Sequence, residues 1–510
     1  MNSWRDWATP ILTSIPRIKH SATAQLLLAA ALGAVGALGF APLSVPSAPT
    51  FCIAGLFWLC TLTPSRAALQ GFVWGLGFFL CGVSWVYVSM SQFAGLHPAA
   101  AAGATVAFCG YLALFPALAA ALFARWRRQL ASDAVLFAAL WTLSECLRGH
   151  LFTGFPWLAL GYSQSPPSPL AGWAPLFGVY GLSFGVALSG ALAVVLLGEL
   201  RRTRRIGRFW LVWLGWALIP LGGLALSLAT WTQPTGAPLG VSLLQGNVPQ
   251  NDKWDPNRIP MSIDAYIDLA QRHPAELTVL PETALPLFYE EVPPEIFRRL
   301  TRHGSALFGI ALTTPDGGYS NAAVAIDTAS GAKNISAYAK RHLVPFGEYA
   351  PPGFRWFFDL LRIPMSSFSP GAARQPPLPV GAQRIAVNIC YEDAFGEELL
   401  DGLANATLLV NLSNTAWFGH SLAQPQHLQI AQLRALETGR TVLRATNTGM
   451  TAMIGPDGAI AAALPAFTAG ALTVRAQGYT GLTPYARWGN LPVLLLATLI
   501  VGWIARNKKS

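Results

Sequence analysis

Arg384-Ile385-Ala386-Val387-Asn388-Ile389-Cys390-Tyr391-Glu392-Asp393 is an apolar run that stops abruptly on a thiol, with a tyrosine and two acids behind it. A short β-branched run of this kind reads as a buried strand, and a side chain at its end is lifted into a cleft. Similar buried strands are expected on both sides of it, at Leu239–Leu244, Leu277–Leu280, Ala306–Ile310 and Leu408–Leu412. Asn321–Asp327 and Ile335–Tyr338 flank Thr328–Gly331 as a hairpin, and Met450–Ile454 and Ala459–Leu464 flank a Pro456-Asp457-Gly458 turn. Helices are predicted over 260–272, 293–303, 394–404 and 422–439. Strands and helices in this alternation describe a layered α/β domain with mixed sheets.

Outside that domain the sequence changes character. Hydrophobic residues make up 53% of the 510, charged residues only 11%, and the mean hydropathy is +0.42. A wholly aqueous surface needs about a quarter charged residues. The deficit sits in long apolar runs at 21–41, 50–64, 68–91, 98–124, 132–150, 174–198, 209–231 and 488–505, eight predicted spans of a polytopic α-helical membrane domain. The net charge of +10 does not imply nucleic acid, because the basic residues lie beside these runs and not along one stripe. Arg5, Arg17 and Lys19 precede the first run, Arg66 follows the second, and Arg125, Arg127 and Arg128 follow the fourth. Arg201, Arg202, Arg204, Arg205 and Arg208 separate the sixth from the seventh, and Arg506, Lys508 and Lys509 come last. This positive-inside pattern puts both termini in the cytoplasm and residues 232–487 on the outer face.

Three side chains near strand ends have chemistry to offer. Cys390 is the one cysteine of six outside the apolar runs; it is either a nucleophile or a core thiol at a strand end. Glu282, in Val279-Leu280-Pro281-Glu282-Thr283-Ala284, is either a solvated glutamate or a carboxylate whose apolar setting raises its pKa and suits it to carry a proton. Lys340 is either a solvated lysine or a cation able to steady an oxyanion or lower the pKa of a thiol. No Cys/His cluster has metal-ligand spacing, and His420 and His427 make no recognisable metal site. Gly181-Leu182-Ser183-Phe184-Gly185 matches a serine-hydrolase string but opens an apolar helix, where small residues serve packing. Glu145 and Arg148, one helical turn apart within a span, are functional candidates or simply partners of each other. The connector Gly154-Phe155-Pro156-Trp157 places Trp157 either as an interfacial anchor or against substrate.

Leu280-Pro281-Glu282-Thr283, Lys340 to Glu348 and Ile389-Cys390-Tyr391-Glu392 resemble the Glu–Lys–Cys motifs of the nitrilase superfamily. Gln245 to Gln250 with Lys253-Trp254, Asn411 to Gly419, Arg434 to Glu437, Arg444 to Gly449 and Thr483 to Arg487 extend the likeness. The fuller pattern is similar to its membrane branch, the apolipoprotein N-acyltransferases, over nearly the whole chain. One departure is Leu280, where that family usually has tryptophan.

The resemblance implies a nitrilase-like αββα sandwich at 236–480, preceded by a seven-helix membrane domain at 1–235 and followed by a final helix and tail at 481–510. It implies catalysis by Glu282, Lys340 and Cys390, supported by Glu348, Tyr391 and Glu392. Trp254, Trp417, Trp157 and Glu437 become substrate-binding or lid residues, with Trp254 equally readable as an interface anchor. The implied reaction passes an acyl chain from a phospholipid, phosphatidylethanolamine being typical, through a thioester to the α-amino group of a diacylglyceryl apolipoprotein. No metal or organic cofactor is implied. The protein would be a monomer in the bacterial inner membrane, with its catalytic domain in the periplasm. Rival readings are a membrane-tethered amidase or phospholipase, which shares the triad, and a transporter with an outer binding domain, against which the scarcity of charge in the spans argues.

Overall fold

The computed structural model describes residues 21–128, 132–203, 210–327, 335–351, 353 and 367–507. These fall into two compact units. One comprises the described residues up to Tyr87, Ala99–Ala229 and those from Trp488 onward; the other comprises Val88–Pro98 and Thr230–Arg487. The segment 88–98, expected as the end of the third span and an outer loop, therefore clusters with the second unit.

The first unit is all helical. Three of its described helices, Ala22–Gly39, Pro98–Trp126 and Ala171–Leu200, are long and apolar enough to cross a membrane. The expected spans at 50–64 and 68–91 form Ser47–Leu62 and Pro64–Gly82, bent by 115° at a break between them. Shorter apolar helices are Trp210–Leu226 and Leu491–Arg506, and Ser132–Arg148 is a further helix that carries Asp133, Glu145 and Arg148. Leu27, Phe51, Leu114, Leu499 and Trp503 stand exposed on these helices, a surface that suits hydrocarbon better than water. The basic residues expected at 5, 17, 19, 204, 205, 208, 508 and 509 lie outside the described residues.

Within this unit Glu145 and Arg148 do more than face each other. Arg148 donates from Nη1 to the carbonyls of Phe155 and Trp157, each at 2.6 Å, while Glu145 accepts from Trp141 Nε1 at 2.8 Å and from the Leu160 amide at 3.0 Å. Both charges thus fasten the aromatic connector. Trp157 is buried there, its ring 5.1 Å from that of Trp85. The Gly181–Gly185 string lies inside the Ala174–Thr203 helix, where Ser183 Oγ accepts from the Gly161 amide at 2.9 Å.

The second unit holds two six-stranded mixed sheets. The first contains β1 (Gln233–Gln245), β2 (Leu277–Val279), β3 (Ser305–Thr313), β4 (Tyr319–Ile326), β5 (Ile335–Ala339) and β12 (Gly470–Thr480), in the order β12-β1-β2-β3-β4-β5. The second contains β6 (Leu378–Val380), β7 (Gln383–Ile389), β8 (Leu408–Ser413), β9 (Thr441–Thr446), β10 (Ala452–Ile454) and β11 (Ile460–Ala463), in the order β11-β10-β9-β8-β7-β6. Each has a parallel centre, β1-β2-β3 or β7-β8-β9, with antiparallel strands outside it.

The sheets pack face to face through Val241, Leu243 and Val279 from one and Ile385, Val387, Val410 and Leu443 from the other. The Ile259–Arg272 and Pro294–Leu300 helices cover the outer face of the first sheet with Tyr266, Ile267 and Phe297. The Ala423–Thr438 helix covers the second with Leu428, Ala431 and Ala435. The result is a four-layer helix–sheet–sheet–helix sandwich.

Two expectations change. Residues 394–404 form 3₁₀ turns at Gly396–Leu400 and Leu403–Asn405, not one α-helix, and Gly402 in the left-handed region separates them. Strands β6, β9 and β12 were not anticipated. The turn expected at Thr328–Gly331 lies outside the described residues, though β4 and β5 on either side pair antiparallel, as a hairpin requires.

Candidate active site

Parallel strands carry their loops at one end, and the second unit gathers its chemistry at those ends. Strand β7 ends at Ile389, and Cys390 takes φ +54°, the left-handed region that costs a non-glycine residue about 1–3 kcal/mol. Two anchors offset that strain. Asn411 Nδ2, in register on neighbouring β8, donates to the Cys390 carbonyl at 3.1 Å. Glu392 accepts from the Ile389 amide at 2.6 Å, the Arg341 amide at 2.7 Å, the His342 amide at 3.0 Å and the Tyr338 hydroxyl at 3.0 Å to each oxygen. One buried carboxylate therefore pins the nucleophile turn to the segment that carries Lys340. Burial pushes the Glu392 carboxyl up, against the pull of those amides and of Lys340.

Glu282 follows β2. Its Oε1 accepts from Asn321 Nδ2 at 2.7 Å and faces Lys340 Nζ at 3.4 Å, and its Oε2 accepts from the Asn414 amide at 2.7 Å. The next residue, Thr283, has φ +47°, so this turn is strained as well. Gly309 on β3 makes room for it: a Cβ there would lie 2.4 Å from the Thr283 nitrogen and 2.6 Å from the Glu282 Cα. Lys340 Nζ donates to Glu348 Oε1 at 2.8 Å, and Glu348 also accepts from Asn321 Nδ2 at 2.9 Å and the Val344 amide at 2.8 Å. Lys340 is 1% exposed, Glu282 7% and Cys390 8%, so these charges act at low dielectric.

The electrostatics differ from expectation at Glu282. Burial alone raises its pKa, but Lys340, Lys253, Asn321 and the Asn414 amide outweigh it and hold the carboxyl below the usual range. Burial pushes the Cys390 thiol well up, and the Glu282 and Glu348 charges add to this against Lys340 and Arg444. Burial works against the Lys340 ammonium, but Glu348, Glu282 and Cys390 hold it firmly charged. The resting site thus pairs a protonated thiol with an ionised carboxylate and a permanent cation. Such a set can move one proton and attack a carbonyl in the same step.

Two family models match the chain: Apolipoprotein N-acyltransferase N-terminal domain over residues 32–192 and Carbon-nitrogen hydrolase over residues 240–485. The apolipoprotein N-acyltransferase of Nitrosomonas europaea is 46% identical over 502 residues, covering 95% of this chain and 99% of the relative. That of Chromobacterium violaceum is 44% identical over 519 residues, covering 99% and 98%. That of Ralstonia nicotianae is 43% identical over 499 residues, covering 95% and 94%. This chain belongs to the apolipoprotein N-acyltransferase family. It is an acyltransferase with a nitrilase-like carbon–nitrogen hydrolase fold.

In this member of the apolipoprotein N-acyltransferases, Glu282, Lys340, Cys390, Glu348 and Glu392 meet in one cluster. Tyr391 stands beside it, edge-on to Phe395 at 5.0 Å. Trp254 is half-buried on the loop after Lys253. Trp417 lies in the 3₁₀ turn Thr415–Phe418, its carbonyl accepting from Ser89 Oγ at 2.8 Å and its ring 6.2 Å from that of Phe93. Trp157 belongs to the first unit. Glu437 is wholly buried on the Ala423–Thr438 helix, with Arg434 2.9 Å away.

Sequence reasoning missed a second network behind Cys390. Asp393 accepts from His427 Nε2 at 2.7 Å and Arg444 Nη1 at 2.9 Å; Arg444 Nη2 donates to His427 Nδ1 at 2.7 Å, and its Nη1 to Asn411 Oδ1 at 2.9 Å. Asn388, Asn411 and Arg444 sit in register across β7, β8 and β9. A charged residue inside the buried run Thr441–Thr446 was the signal, since a buried guanidinium demands a carboxylate. Among the described residues, no group of three or more His, Cys, Asp or Glu is arranged to hold a metal.

Proposed function

We propose that this chain N-acylates the α-amino group of the diacylglyceryl-cysteine of bacterial apolipoproteins, drawing the acyl chain from a phospholipid through a thioester on Cys390. The observation that carries the reading is the buried set of one protonated thiol, one ionised carboxylate and one permanent cation. Glu282 takes the thiol proton as sulfur attacks the ester carbonyl, and Lys340 Nζ steadies the oxyanion. The C–O bond breaks, Glu282 returns the proton to the leaving lysophospholipid, and a thioester remains. The acceptor amine then attacks it, Glu282 takes an amine proton, the C–S bond breaks, and the proton goes to sulfur. Amide and free thiol result. Glu348 braces Lys340, Glu392 and Tyr391 shape the pocket, and Trp254 and Trp417 line or cover the lipid path.

The same reading gives a monomer in the bacterial inner membrane with the catalytic domain in the periplasm. With Ser47–Leu62 and Pro64–Gly82 counted as separate spans, these two, Ser132–Arg148, Trp210–Leu226 and Leu491–Arg506 join the three long apolar helices to make eight.

The test uses detergent-purified protein and phosphatidylethanolamine labelled in its acyl chain, with a diacylglyceryl-cysteine peptide added second. Label is expected on the wild type, released by neutral hydroxylamine, absent from Cys390→Ser, and then transferred to the peptide amine. Label recovered only as free fatty acid, with or without peptide, refutes the transferase reading in favour of hydrolysis. Absence of any protein-bound label refutes the donor or the thiol.

A further inference from the structure

A second lysine reaches the base from another side. Lys253 is 5% exposed, and its Nζ donates to the main-chain carbonyl of Glu282 at 3.1 Å. The segment that carries it is tied to the site at several points. The Asn247 amide donates to the Asn447 carbonyl at 2.9 Å, the Val248 amide to Asn447 Oδ1 at 2.9 Å, and Asn447 Nδ2 to the Val248 carbonyl at 2.8 Å. Gln250 Oε1 accepts from Asn414 Nδ2 at 2.8 Å, and the amide of that same Asn414 donates to Glu282 Oε2. Glu282 is therefore gripped at its carboxylate by Asn414 and at its carbonyl by Lys253, both belonging to one connected lattice. The two lysines differ in surroundings. Lys340 lies between two carboxylates, whereas the acceptor of Lys253 is a neutral carbonyl.

We propose that Lys253 is a positioning residue for the general base, holding the Glu282 turn at its main-chain carbonyl and placing a second buried positive charge beside that turn. This rests on the reading of Glu282 as the base. The titratable groups facing Lys253 are Glu282 and Cys390; Lys340 acts on Glu282, and Glu348 and Arg444 act on Cys390. On its own segment Asp252 faces Arg258, at 3.8 Å, and Asp255 accepts from the Asn257 amide. Burial pulls the Lys253 ammonium down to about 8, against the pull of Glu282 and Cys390, so its charge is the one in this cluster that falls away at mildly basic pH.

The experiment measures single-turnover acylation of full-length protein in detergent by labelled phosphatidylethanolamine, from about pH 3.5 to 9.5 so that the acid limb of a carboxyl held below its ordinary range is covered, for wild type, Lys253→Met, Lys253→Gln, Lys253→Arg and Glu282→Gln. Gln keeps a donor and removes the charge; Arg keeps the charge. Both charge-removing variants are expected to lose about 10-fold or more at neutral pH, with the acid limb moved up by about one pH unit. Arg is expected to keep the limb where it lies in wild type. An unmoved acid limb in Lys253→Gln, with the rate lowered equally at every pH or not at all, overturns the proposal while leaving Glu282 as base if Glu282→Gln is inactive. Wild-type acylation in Glu282→Gln overturns the base reading and this proposal with it.

Discussion

Replacing Gly309 by alanine should disable acylation while leaving the fold nearly intact. The glycine lies in mid-β3, buried, against the turn that carries Glu282. The added Cβ would meet the Thr283 nitrogen at 2.4 Å, the Glu282 Cα at 2.6 Å and the Pro281 oxygen at 2.7 Å. All three are main-chain atoms, so no side chain can swing away. Ordinary contact begins near 3.4 Å, and relief requires the turn to retreat by about 1 Å. The carboxylate is held by contacts of 2.7 Å to Asn321 and Asn414, and a 1 Å retreat breaks them. Misplacement on that scale lowers a rate by about 100-fold. The overpacking costs about 1–3 kcal/mol, and the lower entropy of an unfolded alanine returns about 0.4–1 kcal/mol of it. The assay is single-turnover acylation of Cys390 with the apparent melting midpoint measured alongside. A Gly309→Ala protein that acylates at the wild-type rate would refute the steric argument, as would one whose loss of rate is matched by general unfolding.

Three further outcomes follow from the same geometry. In Glu392→Gln an amide NH₂ must face at least one of the amides of Ile389, Arg341 and His342, so a loss of about 2 kcal/mol in stability is expected; unchanged melting would mean those amides find other acceptors. Because burial and then the Glu282 carboxylate push the Cys390 thiol up, its alkylation by iodoacetamide should still be accelerating at pH 9, whereas a rate that levels off by pH 7 would reveal a preformed thiolate. Burial and then Arg444 hold His427 below its ordinary 6.5, against the pull of Asp393. A histidine kept neutral in the fold favours it fully above the unfolded value, and that advantage is lost as pH falls below about 6.5. The melting midpoint should therefore drop from pH 7 to pH 5 more steeply in wild type than in His427→Gln; equal slopes would place the acid sensitivity elsewhere.

What was legible in the chain was whatever neighbours along it determine. Val387 and Ile389 leading into Cys390 announce a strand end, and Lys340 and Glu348 lie close enough in sequence for one turn to join them. What was not legible came from distance. The environment of Glu282 looked apolar because its neighbours are Leu280, Pro281 and Ala284, yet the lysines that depress its pKa arrive from positions 253 and 340. Strand β9 was missed because arginine and threonine dilute its apolar pattern, although Arg444 is buried there with Asp393. The 394–404 segment carries helix-forming Glu397, Glu398 and Leu399, but Gly402 breaks it into short turns. Glu437 shared a segment with motif residues, and only packing reveals that it faces Arg434.

The pairing of β1 with β12, Gln233 opposite Thr480 and Gln245 opposite Gly470, bears on when this enzyme comes into being. A polypeptide leaves the ribosome amino end first, so β1 waits with an open edge until nearly the whole domain has been made. Cys390 and Glu282 belong to different sheets of that sandwich, and their meeting depends on the shared interior closing. Between the synthesis of Cys390 and that of Gly470–Thr480 the nascent chain therefore carries its thiol before the sandwich that brings Glu282 to it can close.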